Sequence, residues 1–214
     1  VPPDEFIPLA EESGLIAPLT DQVLDGIISD LEAELARDRS LHIAINLSAQ
    51  DIRSGRFLDV VREALPRTRI RPEQIWLEAT ERGFIDIEAA RLTLGEAREA
   101  GHSVAIDDFG TGYSSLRHLQ DLPLDALKID KSFVDTIGLD TATSLVTAHI
   151  VEMAQELDLR IVAEGVETQA QLDYLKARGV DYAQGWLFSR PLPATDFIAF
   201  LRRSRVAQGG AGSE

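Results

Sequence analysis

Val104-Ala105-Ile106-Asp107-Asp108-Phe109-Gly110 is an apolar run that stops at two acids and then a glycine. Five other short runs share its form: His42-Ile-Ala-Ile-Asn46, Ile75-Trp-Leu-Glu78, Ala126-Leu-Lys128-Ile-Asp130, Ile161-Val-Ala-Glu164 and Tyr182-Ala-Gln184. A strand covered on both faces reads as a continuous apolar run, whereas a half-exposed one alternates. Segments with helical spacing separate the six, so the chain alternates β and α and predicts a parallel sheet. In such sheets the C-terminal strand ends converge on one face, where α/β enzymes keep their chemistry. Four of the six ends carry carboxylates, which repel one another unless cations sit among them. The pattern points to a carboxylate-lined metal site.

The intervening helices can be placed from their periodicity. Leu24, Ile28, Leu31 and Leu35 share a face over 21–36, with Thr20 the expected N-cap. Val146, Ile150, Met153 and Leu157 do the same over 142–158. Thr168 and Gln171 form a capping-box pattern opening 169–178, and Gly179 and Gly101 suit the ends of that helix and of 86–100. A last helix near 195–204 precedes a Gly-rich end, so one domain is expected over 1–205 and a flexible tail over 206–214. Six βα units fit an open doubly wound sheet or most of a (β/α)8 barrel, and the pattern leaves both open.

Composition narrows the function. In 214 residues, 21 Lys plus Arg stand against 36 Asp plus Glu, a formal net charge of −15. That balance disfavours a nucleic-acid groove or an anionic membrane surface as partner. A phosphate-bearing substrate stays compatible where metal ions invert the local field. There is no cysteine, which removes thiolate ligands, disulfides and thiol catalysis. No apolar stretch approaches the roughly 18 residues of a membrane helix and no signal-peptide pattern opens the chain, so cytoplasmic residence is expected. Val1-Pro-Pro-Asp-Glu reads like the middle of a loop, so a piece of a longer protein is expected.

Adjacent residues on a strand face opposite sides, so Asp107 and Asp108 can serve one site only where the strand breaks; Gly110 and Gly112 are the expected break. One of the pair can then bridge two cations while its neighbour binds one. The plainer reading is a capped helix start with a solvated acid pair. Asn46 and Glu78 are hard oxygen donors suited to Mg²⁺ or Mn²⁺, although Asn46 alone also suits a turn and Ser48 can cap the next helix. Lys128, inside an apolar strand, needs a polar partner such as a water, a phosphate oxygen or Asp130. Glu164 can reach the site, Glu167 falls near a helix N-terminus that a carboxylate stabilises anyway, and Gln184 can contact substrate or hold a ligand. His42, His102, His118 and His149 read as structural. Ser114 and Ser115 lack an esterase setting, and the glycines lack the Lys-Ser/Thr of a P-loop.

Together these segments resemble the EAL family of cyclic di-GMP phosphodiesterases. The resemblance is carried by Phe6–Ile16, Asn46-Leu-Ser48, Leu77-Glu-Ala-Thr-Glu81, Asp107–Ser115, Lys128-Ile-Asp130, Ala163–Thr168 and Gln184-Gly-Trp-Leu-Phe188. It implies a (β/α)8 TIM-barrel-like domain with two Mg²⁺ or Mn²⁺ ions at the strand ends. By matched position it implies Asn46, Glu78, Asp107, Asp108 and Glu164 as metal ligands. Lys128 and Glu164 would act on the attacking water, Asp130, Glu167 and Gln184 would lie near substrate, and Glu81 would steady the Asp107–Ser115 loop. It implies cyclic di-GMP as substrate, linear pGpG as product, a homodimer, and sensory or GGDEF domains upstream.

One departure matters. The family's Glu-Ala-Leu motif lies on an early strand, and Glu63-Ala64-Leu65 here falls on a helix ending at Pro66. The first two strands and one metal ligand are therefore expected to be absent from this chain, which leaves its activity alone an open question and its sheet edges exposed. A smaller departure is Ala79, where the family usually has a β-branched residue. The rival expectations are a non-catalytic cyclic di-GMP receptor and a regulatory dimerisation module.

Overall fold

The computed structural model describes residues 1–84, 86–110, 121–139 and 142–209, without the side chains of 4, 81, 82, 142–144 and 205–209. Six strands form one sheet: β1 (Ile43–Leu47), β2 (Ile75–Thr80), β3 (Ser103–Phe109), β4 (Ala126–Ile129), β5 (Arg160–Ala163) and β6 (Tyr182–Ala183). Every neighbouring pair is parallel and the spatial order follows the chain order. A doubly wound sheet reverses strand order at a switch point, and this one does not. It is an open section of a barrel-like α/β fold.

The outer layer is helical: α1 (Pro3–Glu12), α2 (Ile16–Arg37), α3 (Ala49–Ser54), α4 (Arg56–Ala64), α5 (Ile87–Glu99), α6 (Lys131–Val134), α7 (Ala142–Glu156), α8 (Gln169–Ala177) and α9 (Ala194–Gly209). Thr20 is not an N-cap. The second helix starts at Ile16, Pro18 sits in its first turn where no backbone N–H is needed, and Thr20 Oγ1 donates to Ile16 O inside the helix. Ser48 does cap α3, in a reciprocal box with Asp51, and Thr168 caps α8 in another with Gln171. α9 continues past the expected 204 to Gly209, the first glycine after a helix-compatible run. Residues 210–214, the rest of the expected tail, lie outside the described residues.

Strand alternation sorts the apolar runs into two cores. Ile75, Leu77, Val104, Ile106, Leu127, Ile129, Ile161 and Ala163 face the helices in the main core. Trp76, Ala105, Ala126 and Val162 face the other way, forming a small inner layer. Around that layer His42 stacks on Trp76 at 4.1 Å, Tyr182 meets Trp76 edge-on at 5.6 Å, and the Arg160 guanidinium lies 4.2 Å over the indole. These contacts pack the rings and the guanidinium against one another on the inner face. On β1, Ala44 and Asn46 are exposed, so the inner face opens along that edge.

Candidate metal centre

Two residues further along five of the strands, the inward positions change from apolar or aromatic to charged or amide side chains. Trp76 leads to Glu78, Ala105 to Asp107, Ala126 to Lys128, Val162 to Glu164, and Tyr182 to Gln184. A period of two carries a side chain back to the same face one layer higher. The functional layer is thus stacked on the apolar one at the C-terminal strand ends, and pairing fixes its register, with Asn46 opposite Glu78 and Thr80 opposite Asp107.

Lys128 is the centre of this layer. Its ammonium lies 2.6 Å from Glu78 Oε2, 3.0 Å from Asp107 Oδ2 and 2.6 Å from Glu164 Oε1. The lysine is only 4% exposed. Burial alone would depress its pKa, but the fields of Glu78, Asp107 and Glu164 override that and hold it above the ordinary lysine value. Asp130, the partner considered for Lys128 from sequence, instead caps α6 by accepting from Ser132 N at 3.0 Å. The lysine turns inward because Asp107 and Glu164 converge there.

The acids are strained. Burial pushes the Glu78 and Glu164 carboxyls above the usual carboxylate range, although Lys128 pulls against the shift and Asp107 adds to it. Asp107, Asp108 and Glu164 each offer an oxygen within 4.8 Å of the others, a spacing that can hold a cation. Glu78, Asp107 and Glu164 share the one Lys128 ammonium, a formal excess of two negative charges. Oxygen donors of this kind suit Mg²⁺, Ca²⁺ or Mn²⁺.

The acid pair faces one site because β3 breaks, and it breaks earlier than expected. Pairing with β4 shifts register between Ile106 and Phe109, and Asp108 takes a left-handed φ of 54°. The bulge adds a residue and re-aims the next side chain. Asp108 N donates to Asp107 Oδ1 at 2.9 Å, which holds the bulge. Gly110 also has positive φ, while Gly112 and residues 111–115 of the loop lie outside the described residues, as does the Glu81 side chain.

Beside the acids runs a cleft of about 790 Å³, lined by Lys131, Glu164, Glu167, Gln184, Trp186 and Arg190 among others. Gln184 Nε2 donates to Glu164 Oε1 at 2.7 Å, so the amide steadies the glutamate from the cleft side. Asn46 lies opposite Glu78 in the β1–β2 pairing, on the open edge of the sheet. Sequence reasoning missed Lys131 and the Gln184–Glu164 bond. The Lys-Ile-Asp-Lys spacing of 128–131 was the available signal for the first, since it sets a second lysine where the strand becomes a turn.

A family model described as the EAL domain matches residues 1–191. The probable cyclic di-GMP phosphodiesterase PdeB of Escherichia coli (strain K12) is 45% identical over 201 residues, 94% of this chain and 38% of that protein. The bifunctional diguanylate cyclase/cyclic di-GMP phosphodiesterase MucR of Pseudomonas aeruginosa is 39% identical over 201 residues, 93% of this chain and 29% of that protein. The chain therefore spans well under half the length of these relatives. A solved PaMucR phosphodiesterase in complex with c-di-GMP superposes with a TM-score of 0.85 at 39% identity, covering 92% of this chain and 81% of that one. A manganese/cy-diGMP complex of Klebsiella pneumoniae BlrP1 superposes at 0.61 with 35% identity, covering 70% of this chain and 39% of that one.

Proposed function

Because the chain belongs to the EAL domain family, we propose that it is the phosphodiesterase part of a cyclic di-GMP signalling protein, hydrolysing one phosphodiester to give linear pGpG. The observation that carries this reading is the excess of carboxylate over ammonium around Lys128 at the strand ends. Asn46, Glu78, Asp107, Asp108 and Glu164 would hold two Mg²⁺ or Mn²⁺ ions. Such ions, when bound, polarise the phosphoryl oxygen and lower the pKa of water.

This chain's own residues do the rest. Glu164, whose carboxyl burial holds above the usual carboxylate range, takes a proton from the attacking water as general base. Lys128 holds the same water by donating from its ammonium and answers the charge that develops on the phosphate. Gln184 keeps Glu164 aimed by its hydrogen bond. Asp130, Glu167 and Gln184 line the approach of the substrate. The bulge at Asp107–Asp108 makes both acids available at once.

In the parent protein the domain works as a homodimer in the cytoplasm, controlled by an upstream sensory or GGDEF domain. No helix among the described residues is long and apolar enough to cross a membrane. The test is product analysis: cyclic di-GMP incubated with Mg²⁺ or Mn²⁺, using the 214-residue chain and the full-length protein that carries it. Metal-dependent pGpG formation that EDTA stops is the expected result. Binding of the dinucleotide without turnover in the full-length protein would make it a receptor instead.

A further inference from the structure

The turn that carries Glu164 is gripped from two sides. Gly165 has φ +66°, and a Cβ there would collide with the Lys131 stem, coming within 2.7 Å of both its Cβ and its Cδ. On the other side, a Cβ at Gly185 would run into the backbone of Val166. Both glycines are thus required by close approach, one by a side chain and one by backbone. The Lys131 stem, the Gly165–Val166 backbone and Gly185 form three layers with no side chain between them.

We infer that Lys131 is a positioning residue for this site, clamping the Glu164 turn from above through its stem and its ammonium. The inference rests on the phosphodiesterase reading for its kinetic consequence and on packing alone for its structural one. The ammonium lies 2.8 Å from both Glu167 Oε1 and Asp135 Oδ1, joining the turn after β5 to α6. A second tie runs alongside, from Gln171 Nε2 to Val134 O at 3.2 Å, and Gln171 Oε1 accepts from the backbone of Glu167 and Thr168. At its near end the turn is held by Glu164 N donating to Ile129 O and Val166 N donating to Gln184 O, both at 3.0 Å. Lys131 covers the remaining stretch, between these two anchors.

Exposed ion pairs contribute little to stability, and this lysine side chain is 46% exposed. Its effect is therefore on geometry. Small displacements of catalytic groups cost about 10²-fold in rate, and loss of partners that orient metal ligands costs about 10–100-fold in affinity or activity.

Three variants in the full-length protein separate the parts. Lys131→Ala removes stem and charge, Lys131→Met keeps a stem of similar length without charge, and Lys131→Arg keeps both. With Lys131→Ala, kcat is expected to fall about 10–100-fold with KM within about threefold, and Mn²⁺ affinity to weaken about tenfold. Lys131→Met is expected to lie between that and wild type, and Lys131→Arg to restore both readouts. Amide exchange at Gly165 and Val166 should quicken in Lys131→Ala alone. Wild-type kcat, Mn²⁺ affinity and amide exchange in Lys131→Ala would overturn the inference, as would a rise in KM alone, which would make Lys131 a substrate contact. Should the wild type show no hydrolysis, Mn²⁺ affinity and amide exchange still decide the clamp, while only the phosphodiesterase reading falls.

Discussion

Glu164 Oε1 lies 2.6 Å from Lys128 Nζ, although the residue opposite Lys128 in the β4–β5 pairing is Val162. The glutamate is one inward position beyond that register, so the ion pair ties the top layer of the inner face across two strands. The same oxygen accepts from Gln184, just past the end of β6. Three consecutive strands are thereby closed over the site by one carboxylate oxygen.

That oxygen carries a thermodynamic cost. Burial raises the Glu164 carboxyl above the ordinary value of 4.5. A carboxyl with a raised folded-state pKa keeps its proton longer when folded, so stability falls as pH climbs past 4.5 and stays lower above the folded value. In EDTA at pH 7.5, Glu164→Gln is expected to raise stability by about 0.5–2 kcal/mol while abolishing hydrolysis. The gain should shrink toward zero below pH 4.5, where the wild-type acid is itself neutral. Thermal unfolding of both proteins from pH 4 to 8 checks this, and a destabilised Gln variant at pH 7.5 would refute it.

Lys128 behaves oppositely. Its folded-state pKa lies above 10.5, so its contribution is complete below that pH and is lost as pH rises through the folded value. Lys128→Met leaves Glu78, Asp107 and Glu164 without their counter-charge, and removing one partner of a buried ion pair costs about 3–5 kcal/mol. In denaturant titrations with EDTA the variant should lose that much and lack the alkaline decline of the wild type. Saturating Mn²⁺ should recover about 2.7 kcal/mol at a hundred times its dissociation constant. Equal stability of variant and wild type in EDTA would argue that the carboxylates do not depend on Lys128.

Gln74 is a hub outside the site. Only 1% exposed, it donates from Nε2 toward the carbonyls of Leu35, Asp38 and Leu41 at 2.9–3.0 Å, and its Oε1 accepts from Arg71 N at 3.2 Å. It joins the end of α2 to the chain entering β1 and to the start of β2. Gln74→Leu strands the buried Leu35 carbonyl and the half-buried carbonyls of Asp38 and Leu41, a buried group costing about 1–3 kcal/mol when unsatisfied. The expected result is a drop of about 3 kcal/mol or more in unfolding free energy, with residual activity retained where the fold persists. A change under 0.5 kcal/mol would mean that water replaces the amide.

β2 to β5 were legible because burial on both faces makes each of them a continuous apolar run. Their ends were legible because Glu78, Asp107 and Glu164 interrupt those runs abruptly. What the runs did not reveal was their division into two faces: Ile106 and Ala105 are both apolar, yet one meets helices and the other the inner layer. Open sheet and barrel were not separable from pattern, since strand order is a long-range property. Thr20 misled because a Thr before an apolar-periodic stretch resembles a cap, while Pro18 had already begun the helix. The break at Asp108 was hidden because a left-handed aspartate leaves no mark in sequence, whereas the glycines that follow it do. Gln74 acts through contacts distant in sequence and has no local signature.

Manganese titration followed by the EPR signal of free Mn²⁺ reads the acidic cluster without reference to turnover. Wild type should withdraw Mn²⁺ from solution saturably, and Asp107→Asn should lose that uptake at least about tenfold, the lower range for disturbed metal sites. A wild type that takes up no Mn²⁺, or an Asp107→Asn variant that takes up as much, would contradict a metal site built from these strand ends.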